Sequence, residues 1–141
     1  LTHKFVDKGK VNSSHINIIV DLLHELNMEG SDILRCKANL KFKSNTRKKH
    51  NGFHVDHKDP HEVMIYYVND SDGDTIFYNQ KTYDTNQIDN LDLQEYKRVT
   101  PKANRLVIFE GDIVHTGSSP VNSKKRILIN SNFLTTKKNV L

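Results

Sequence analysis

His54 and Asp56 stand two residues apart in Gly52-Phe53-His54-Val55-Asp56, and His115 closes a second segment, RLVIFEGDIVHTG. In extended backbone, residues i and i+2 project to one face. His54 and Asp56 therefore point together, while Val55 enters the opposite layer. Alone, the H-x-D pair reads as the polar edge of a strand. With His115 it becomes two imidazoles and a carboxylate, a donor set that holds a divalent metal on one face of an octahedron and leaves the opposite face open.

This is the facial triad of non-haem Fe(II) oxygenases, in which a 2-oxo acid fills two of the open positions and O2 the third. The far carboxylate of such an acid then needs a cation inside an apolar barrel. Arg126 meets that need. It opens the apolar segment RILINSNF beyond a turn that contains Pro120. Its guanidinium fork matches a carboxylate and stays charged when buried. Alternation places Arg126, Leu128 and Asn130 on one face, with Ile127, Ile129 and Phe133 on the other. Lys124 and Lys125 precede the strand and are expected in solvent. His50, His57 and His61 lie among Lys58, Asp59 and Pro60 and read as bystanders on a surface loop, with substrate contact as the second reading.

These side chains must be positioned by a framework that changes period along the chain. Ser14 is a fair N-cap and Gly30 a fair stop for a helix with Ile16, Ile19, Val20, Leu23 and Leu26 on one stripe; His15 and His24 fall off it. After Gly30 the period becomes two. ILRCKANLKF places Leu34, Cys36, Ala38 and Leu40 on one face, and further strands are expected at 62–69, 74–78, 95–99, 105–110, 112–116 and 126–133. Many short strands after one helix predict a mainly β fold, a jelly-roll sandwich or barrel with the helix packed outside. The polar stretch 79–94, with few apolar anchors, is expected to form a flexible loop over the barrel mouth.

The chain has 141 residues, 35% of them apolar and none of them Trp, which fits one domain with a modest core. No apolar run reaches the length of a membrane span and no signal peptide is visible. The chain opens on Leu1 rather than on a methionine, so preceding residues are expected. The single Cys36 cannot form an internal disulfide and points to a reducing, cytoplasmic setting. The net charge of +4 is concentrated in Arg47-Lys48-Lys49, Lys124-Lys125-Arg126 and Lys137-Lys138; solvated charge explains these runs before nucleic-acid binding does.

In order along the chain, HVD, MIYYVND, RLVIFEGDIVHTGSSPV and KKRILI resemble the 2-oxoglutarate- and Fe(II)-dependent dioxygenase superfamily, in particular its prolyl-hydroxylase-like branch. The likeness covers residues 50–133. It implies a double-stranded β-helix, a cupin-like barrel with the iron near one mouth. It implies His54, Asp56 and His115 as metal ligands and Arg126 as the 2-oxoglutarate anchor. It also makes Tyr67, the second Tyr of MIYYVND, a hydrogen-bond donor to the same carboxylate. Where the family shows a Gly-Gly motif this chain has SDGDT, which makes Thr75 a pocket-lining candidate. The His115–Arg126 turn is one residue longer than usual, which keeps Lys125 as a lesser anchor candidate. The chain is also short for the family.

The implied activity is hydroxylation of a C–H bond coupled to decarboxylation of 2-oxoglutarate to succinate and CO2, with Fe(II) as metal and ascorbate as auxiliary reductant. The implied partner is a peptide or protein whose prolyl residue is hydroxylated. Nucleic-acid dealkylation is the weaker substrate reading, because Leu128 and Asn132 stand where that branch has Asn and Arg. Two non-enzymatic readings compete: a cupin-type metal-binding module and a basic nucleic-acid-binding β-sandwich. Neither explains a complete triad followed by an arginine at the head of an apolar strand.

Overall fold

The computed structural model describes residues 1–45 and 52–135. Arg47-Lys48-Lys49, His50 and Lys137-Lys138 lie outside the described residues.

The chain opens with a hairpin, β1 (Thr2–Asp7) and β2 (Lys10–Val11), followed by helix α1 (Asn17–Glu25) and the long strand β3 (Ile33–Phe42). Then come β4 (His61–Tyr67), β5 (Thr75–Lys81), a 3-10 turn at Ile88–Asn90, β6 (Glu95–Val99), β7 (Arg105–Glu110), β8 (Ile113–Gly117) and β9 (Lys125–Leu134). The strands form a six-stranded sheet in the order β2-β1-β3-β9-β4-β7 and a three-stranded sheet in the order β6-β5-β8. All pairings are antiparallel. This is the jelly-roll, double-stranded β-helix class expected from the sequence.

The period-two strands divide their side chains between two layers. On the outer face of the large sheet Cys36, Met64, Ile129 and Phe133 meet Ile19 and Leu23 of α1 and Phe5 and Val6 of β1. The inner face carries Val63, Ile65, Tyr67 and Leu128, flanked by Val99, Val107 and Phe109. The small sheet turns Ile76, Tyr78 and Val114 away from the cavity into a cluster with Val55 and Ile88. Thr75, Phe77, His115 and Gly117 are thereby left for the inner side, where Phe77 meets Phe109 edge to face at 4.9 Å between ring centroids.

Several expectations need correction. The helix begins at Asn17, not next to Ser14, and no side chain caps it. Ser13 Oγ instead accepts the backbone N–H of His15. Val20 is 53% exposed, because the buried stripe is narrowed to Ile19 and Leu23. The β1–β2 hairpin was not anticipated. Its Lys8-Gly9 turn has φ of 50° and 71°, the paired positive values of a type I′ connection. Residues 79–94 are not short of anchors: Ile88 is buried in the small-sheet cluster, with Leu91 and Leu93 packed against it. Asn79 N–H also bonds Gln94 O, and Thr82 N–H bonds Asp112 O.

Candidate metal centre and anion pocket

The structure brings His54, Asp56 and His115 together. One possible ligand atom from each lies within 4.8 Å of the others. His54 precedes β4 and is locked to β8 by a reciprocal backbone pair: His54 N–H to His115 O at 3.1 Å and His115 N–H to His54 O at 3.0 Å. The two imidazoles therefore stand side by side, 4.6 Å apart. Each ring is also held through Nδ1 by the carbonyl two residues earlier, Gly52 O at 3.1 Å for His54 and Ile113 O at 2.9 Å for His115. With Nδ1–H donating, each Nε2 carries the lone pair, the tautomer a metal requires.

His115 Nε2 is buried and has no hydrogen-bond partner among the described residues. Burial, the largest influence, pushes His115 down to about 4, so its ring is neutral near pH 7. An unpaired buried nitrogen beside a second imidazole and a carboxylate is a costly arrangement unless a metal takes the lone pair.

Asp56 is held more tightly still. Asn132 Nδ2 donates to its Oδ2 at 2.9 Å and Asn130 Nδ2 to the same oxygen at 3.1 Å. Arg35 Nη2 lies 2.9 Å from Oδ1, and Arg35 Nε donates to Asn132 Oδ1 at 3.0 Å. Burial works against the carboxylate, but at the low pH where it would titrate, the then-protonated His115, the Arg35 charge and the Asn132 hydrogen bond outweigh it and hold Asp56 well below the usual carboxylate range. Oδ2 is fully used, while Oδ1 faces His54 Nε2 at 3.8 Å. The amides thus bias the carboxylate to offer one oxygen, which suits a facial site. Sequence reading missed Arg35 and Asn132 and gave Asn130 no role.

At the other end of the same cavity of about 350 Å³ lies Arg126, only 4% exposed. Its Nη2 donates to Thr75 Oγ1 at 2.8 Å, and Tyr67 OH donates to the same oxygen at 2.6 Å. Thr75 Oγ1 accepts twice, so its own O–H is left to donate. Burial lowers Arg126, raises Tyr67 and thereby keeps the phenol protonated. The guanidinium has no acidic partner within ion-pair distance among the described residues, and Nε has no hydrogen-bond partner. Room for it comes from two glycines: a Cβ at Gly73 would lie 2.9 Å from Arg126 Cδ, and one at Gly117 would lie 3.3 Å from both Nη atoms. Arg126, Tyr67 and Thr75 thus lie together at this end of the cavity, and Lys125 is exposed.

Of the remaining histidines, His57 belongs to a loop, with Nδ1 accepting Asp59 N–H at 3.1 Å. His61 does not. It is the first residue of β4, 1% exposed, on the inward face with Val63, Ile65 and Tyr67. Its Nδ1 bonds Asp59 O at 2.7 Å, and its ring occupies space that a Cβ at Gly111 would fill. The loop expected there ends one residue earlier than the polar neighbours implied.

A jelly roll with two imidazoles and a carboxylate at one end of its cavity and an uncompensated arginine at the other defines a metal-dependent oxygenase architecture. The profile of the 2OG-Fe(II) oxygenase superfamily matches residues 40–134, and the chain belongs to that superfamily, whose members use Fe(II) and 2-oxoglutarate. Among solved structures it is similar to an oxidoreductase of the 2OG-Fe(II) oxygenase family from Burkholderia pseudomallei: TM-score 0.61, 15% identity, 94% of this chain and 64% of that one. It is also similar to a Pseudomonas putida prolyl-4-hydroxylase: TM-score 0.56, 17% identity, 94% of this chain and 67% of that one. The chain thus spans somewhat less than two thirds of the Burkholderia protein. No curated protein sequence matches it significantly. No described helix is long and apolar enough to cross a membrane.

Proposed function

We propose that this chain is a single oxygenase domain that hydroxylates a prolyl residue of a peptide or protein, with His54, Asp56 and His115 as the iron ligands and Arg126, Tyr67 and Thr75 as the 2-oxoglutarate anchor. The observation that carries the reading is the pairing of two deficits in one cavity. A buried lone pair on His115 Nε2 lacks a cation, and a buried guanidinium on Arg126 lacks an anion. A divalent metal satisfies the first and the distal carboxylate of a 2-oxo acid the second. The prolyl target is supported by the MIYYVND and HTGSSPV likeness and by the fold shared with the Pseudomonas prolyl-4-hydroxylase.

The residues divide the work. His54 and His115 present neutral Nε2 donors because their Nδ1–H groups are spent on backbone carbonyls. Asn130, Asn132 and Arg35 orient Asp56 and keep it ionised. Arg126 offers its fork to the carboxylate, Thr75 its hydroxyl hydrogen and Tyr67 a second phenolic donor after a small rotation. Iron with 2-oxoglutarate and O2, when bound, supplies the oxidising power; the protein contributes placement and charge.

Incubation with Fe(II), ascorbate, 2-oxoglutarate and a proline-containing peptide library, followed by mass spectrometry, tests the reading. Succinate formation with one oxygen added to prolyl residues is expected. Consumption of 2-oxoglutarate with products carrying the oxygen only on other residues would overturn the prolyl assignment.

A further inference from the structure

We propose that the inward face of β3, through Lys37 and the neighbouring Asn39, binds an acidic side chain of the peptide substrate close to the reacting residue, with Lys41 adding positive charge further along the strand. The proposal rests on the peptide reading above and adds the charge that the target sequence must carry.

β3 has two unlike faces. Cys36 and Ala38 belong to the core under α1. The alternate residues Arg35, Lys37, Asn39 and Lys41 face the other way, and Lys37, Asn39 and Lys41 line the cavity together with His54, Asp56 and Arg126. Four polar residues in succession on the inward face of a central strand are not needed for packing. An apolar residue at any of them would avoid the cost of covering an ammonium group.

Arg35 is accounted for by Asp56 and Asn132. The two lysines are not. Neither has an ion-pair partner among the described residues, and Lys41 Nζ makes a single long contact, 3.5 Å to Gly117 O. Burial lowers Lys37, and burial together with Arg126 brings Lys41 down to about 8, as expected of half-buried cations without a counter-ion.

Asp56 is the only acid among the described residues lining the cavity, and its charge is already matched by Arg35. A divalent metal and a dianionic 2-oxoglutarate cancel each other. Lys37, Lys41 and Arg126 then leave the loaded cavity positive, so it favours an anionic substrate over a neutral one.

Register separates the two lysines. Lys41 pairs with Arg126 and so stands at the 2-oxoglutarate end; Lys37 pairs with Asn130, next to Asp56, where the substrate must arrive. They are about 13 Å apart along the strand, too far for one carboxylate of 2-oxoglutarate to serve both. Lys37 is therefore the principal contact. A single-stranded nucleic acid is disfavoured, because base binding uses aromatic platforms and no Phe, Tyr or Trp is among the described cavity-lining residues.

The test compares fluorescently labelled peptides with the protein loaded with Mn(II) and 2-oxoglutarate in the absence of oxygen. One peptide carries Asp and Glu around a central proline, and its twin carries Asn and Gln. A second pair has alanine in place of the proline. By anisotropy, the acidic proline peptide should bind about threefold to fivefold tighter than its neutral twin at roughly 0.15 M salt, the difference one partly screened charge contact makes. Lys37→Met should bring the ratio close to one, and Lys37→Arg should restore most of it. Equal affinity of the wild-type protein for both twins, or no binding of either acidic peptide, would overturn the proposal, whether or not Lys37→Met folds. A labelled oligonucleotide that displaces the acidic peptide at lower concentration would also overturn it, reassigning the strip to phosphodiesters. If the acidic alanine peptide binds as tightly as the proline one, with the same Lys37 dependence, and no oxygen is added to proline on admitting air and Fe(II), the anion site stands and the prolyl reading falls.

Discussion

Asp56 and Arg126 are the two deeply buried charges of the cavity, and they differ in what surrounds them. Asp56 has a guanidinium and two carboxamides of its own, so its charge is compensated within the fold. Arg126 has a shared hydroxyl and a tyrosine ring whose centroid is 5.9 Å from Cζ; the charge of Asp74 reaches it, but no acid among the described residues lies within ion-pair distance. A buried charge whose partners are all internal can be maintained before any ligand arrives, whereas a buried charge without a counter-ion is stabilised when an anion binds. The metal end is therefore preorganised and the anion end is completed by its ligand.

The largest effect expected from breaking this contrast is at Arg126. Arg126→Ala should weaken 2-oxoglutarate binding by roughly 2–5 kcal/mol, the range for truncating one side of a buried charge pair, and leave metal affinity nearly unchanged, since no ligand atom or ligand-orienting group is lost. Arg126→Lys should recover only part, because an ammonium lacks the fork. Anaerobic titration of 2-oxoglutarate into Mn(II)-loaded variants measures both. An unchanged 2-oxoglutarate affinity in Arg126→Ala would remove the anchor from this position.

Asn132→Ala probes the opposite end and should show the opposite selectivity. It removes one of the two amide donors on Asp56 Oδ2 and the acceptor for Arg35 Nε. Loss of an outer hydrogen bond to a metal ligand costs about 10- to 100-fold in metal affinity, and 2-oxoglutarate affinity measured at saturating metal should stay within a factor of about two. Competition with a coloured chelator gives the metal constant. If 2-oxoglutarate affinity falls as much as metal affinity, the two ends are not separable in the way their contacts imply.

What could be read from the sequence follows the same division. His54, Asp56, His115 and Arg126 were legible because each is an unexpected residue type at a period-two position in or beside an apolar strand. Arg35 and Asn132 were not, because their partnership with Asp56 arises from β3 pairing with β9 across nearly a hundred residues, Arg35 facing Asn132 in register. His61 was misplaced because Asp59 and Pro60 mask the start of β4. The order of residues 79–94 depends on Ile88, one of a few apolar residues in a polar run with Leu91 and Leu93, whose burial is visible only once Val55 and Val114 are beside it. The β1–β2 hairpin could have been found from Lys8-Gly9, since a glycine in a short polar step between mixed segments marks a type I′ turn.

A smaller effect is expected at Tyr67. Tyr67→Phe removes the phenolic donor to Thr75 Oγ1 but keeps the ring beneath Arg126. The loss in 2-oxoglutarate affinity should be near 1–1.5 kcal/mol, the contribution of one hydrogen bond in a charged cluster. Thr75→Val, which removes the hydroxyl joining both groups, should cost at least as much. A Tyr67→Phe protein that binds 2-oxoglutarate like wild type would confine Tyr67 to packing.

The smallest effect is expected at Gly117, where stability and binding should move in opposite directions. Gly117 is not among the positive-φ residues, so alanine is compatible with its backbone and should stabilise the fold by about 0.4–1 kcal/mol by restricting the unfolded chain. The new Cβ would lie 3.3 Å from Nη1 and Nη2 of Arg126 and 3.5 Å from Cζ. These are the ends of a long side chain, which can retreat by a few tenths of an ångström. The retreat turns the fork away from the optimum geometry for a carboxylate, with a loss below about 1 kcal/mol in 2-oxoglutarate affinity, the low end for one added methyl in a packed site. Metal affinity should not change, because β8 keeps His115 paired with His54 through the same two backbone bonds. A melting temperature at or above wild type together with weaker 2-oxoglutarate binding would locate the effect at the guanidinium. A lower melting temperature, or weaker metal binding, would show instead that the methyl disturbs β8 itself and that the two ends of the cavity are mechanically coupled through that strand.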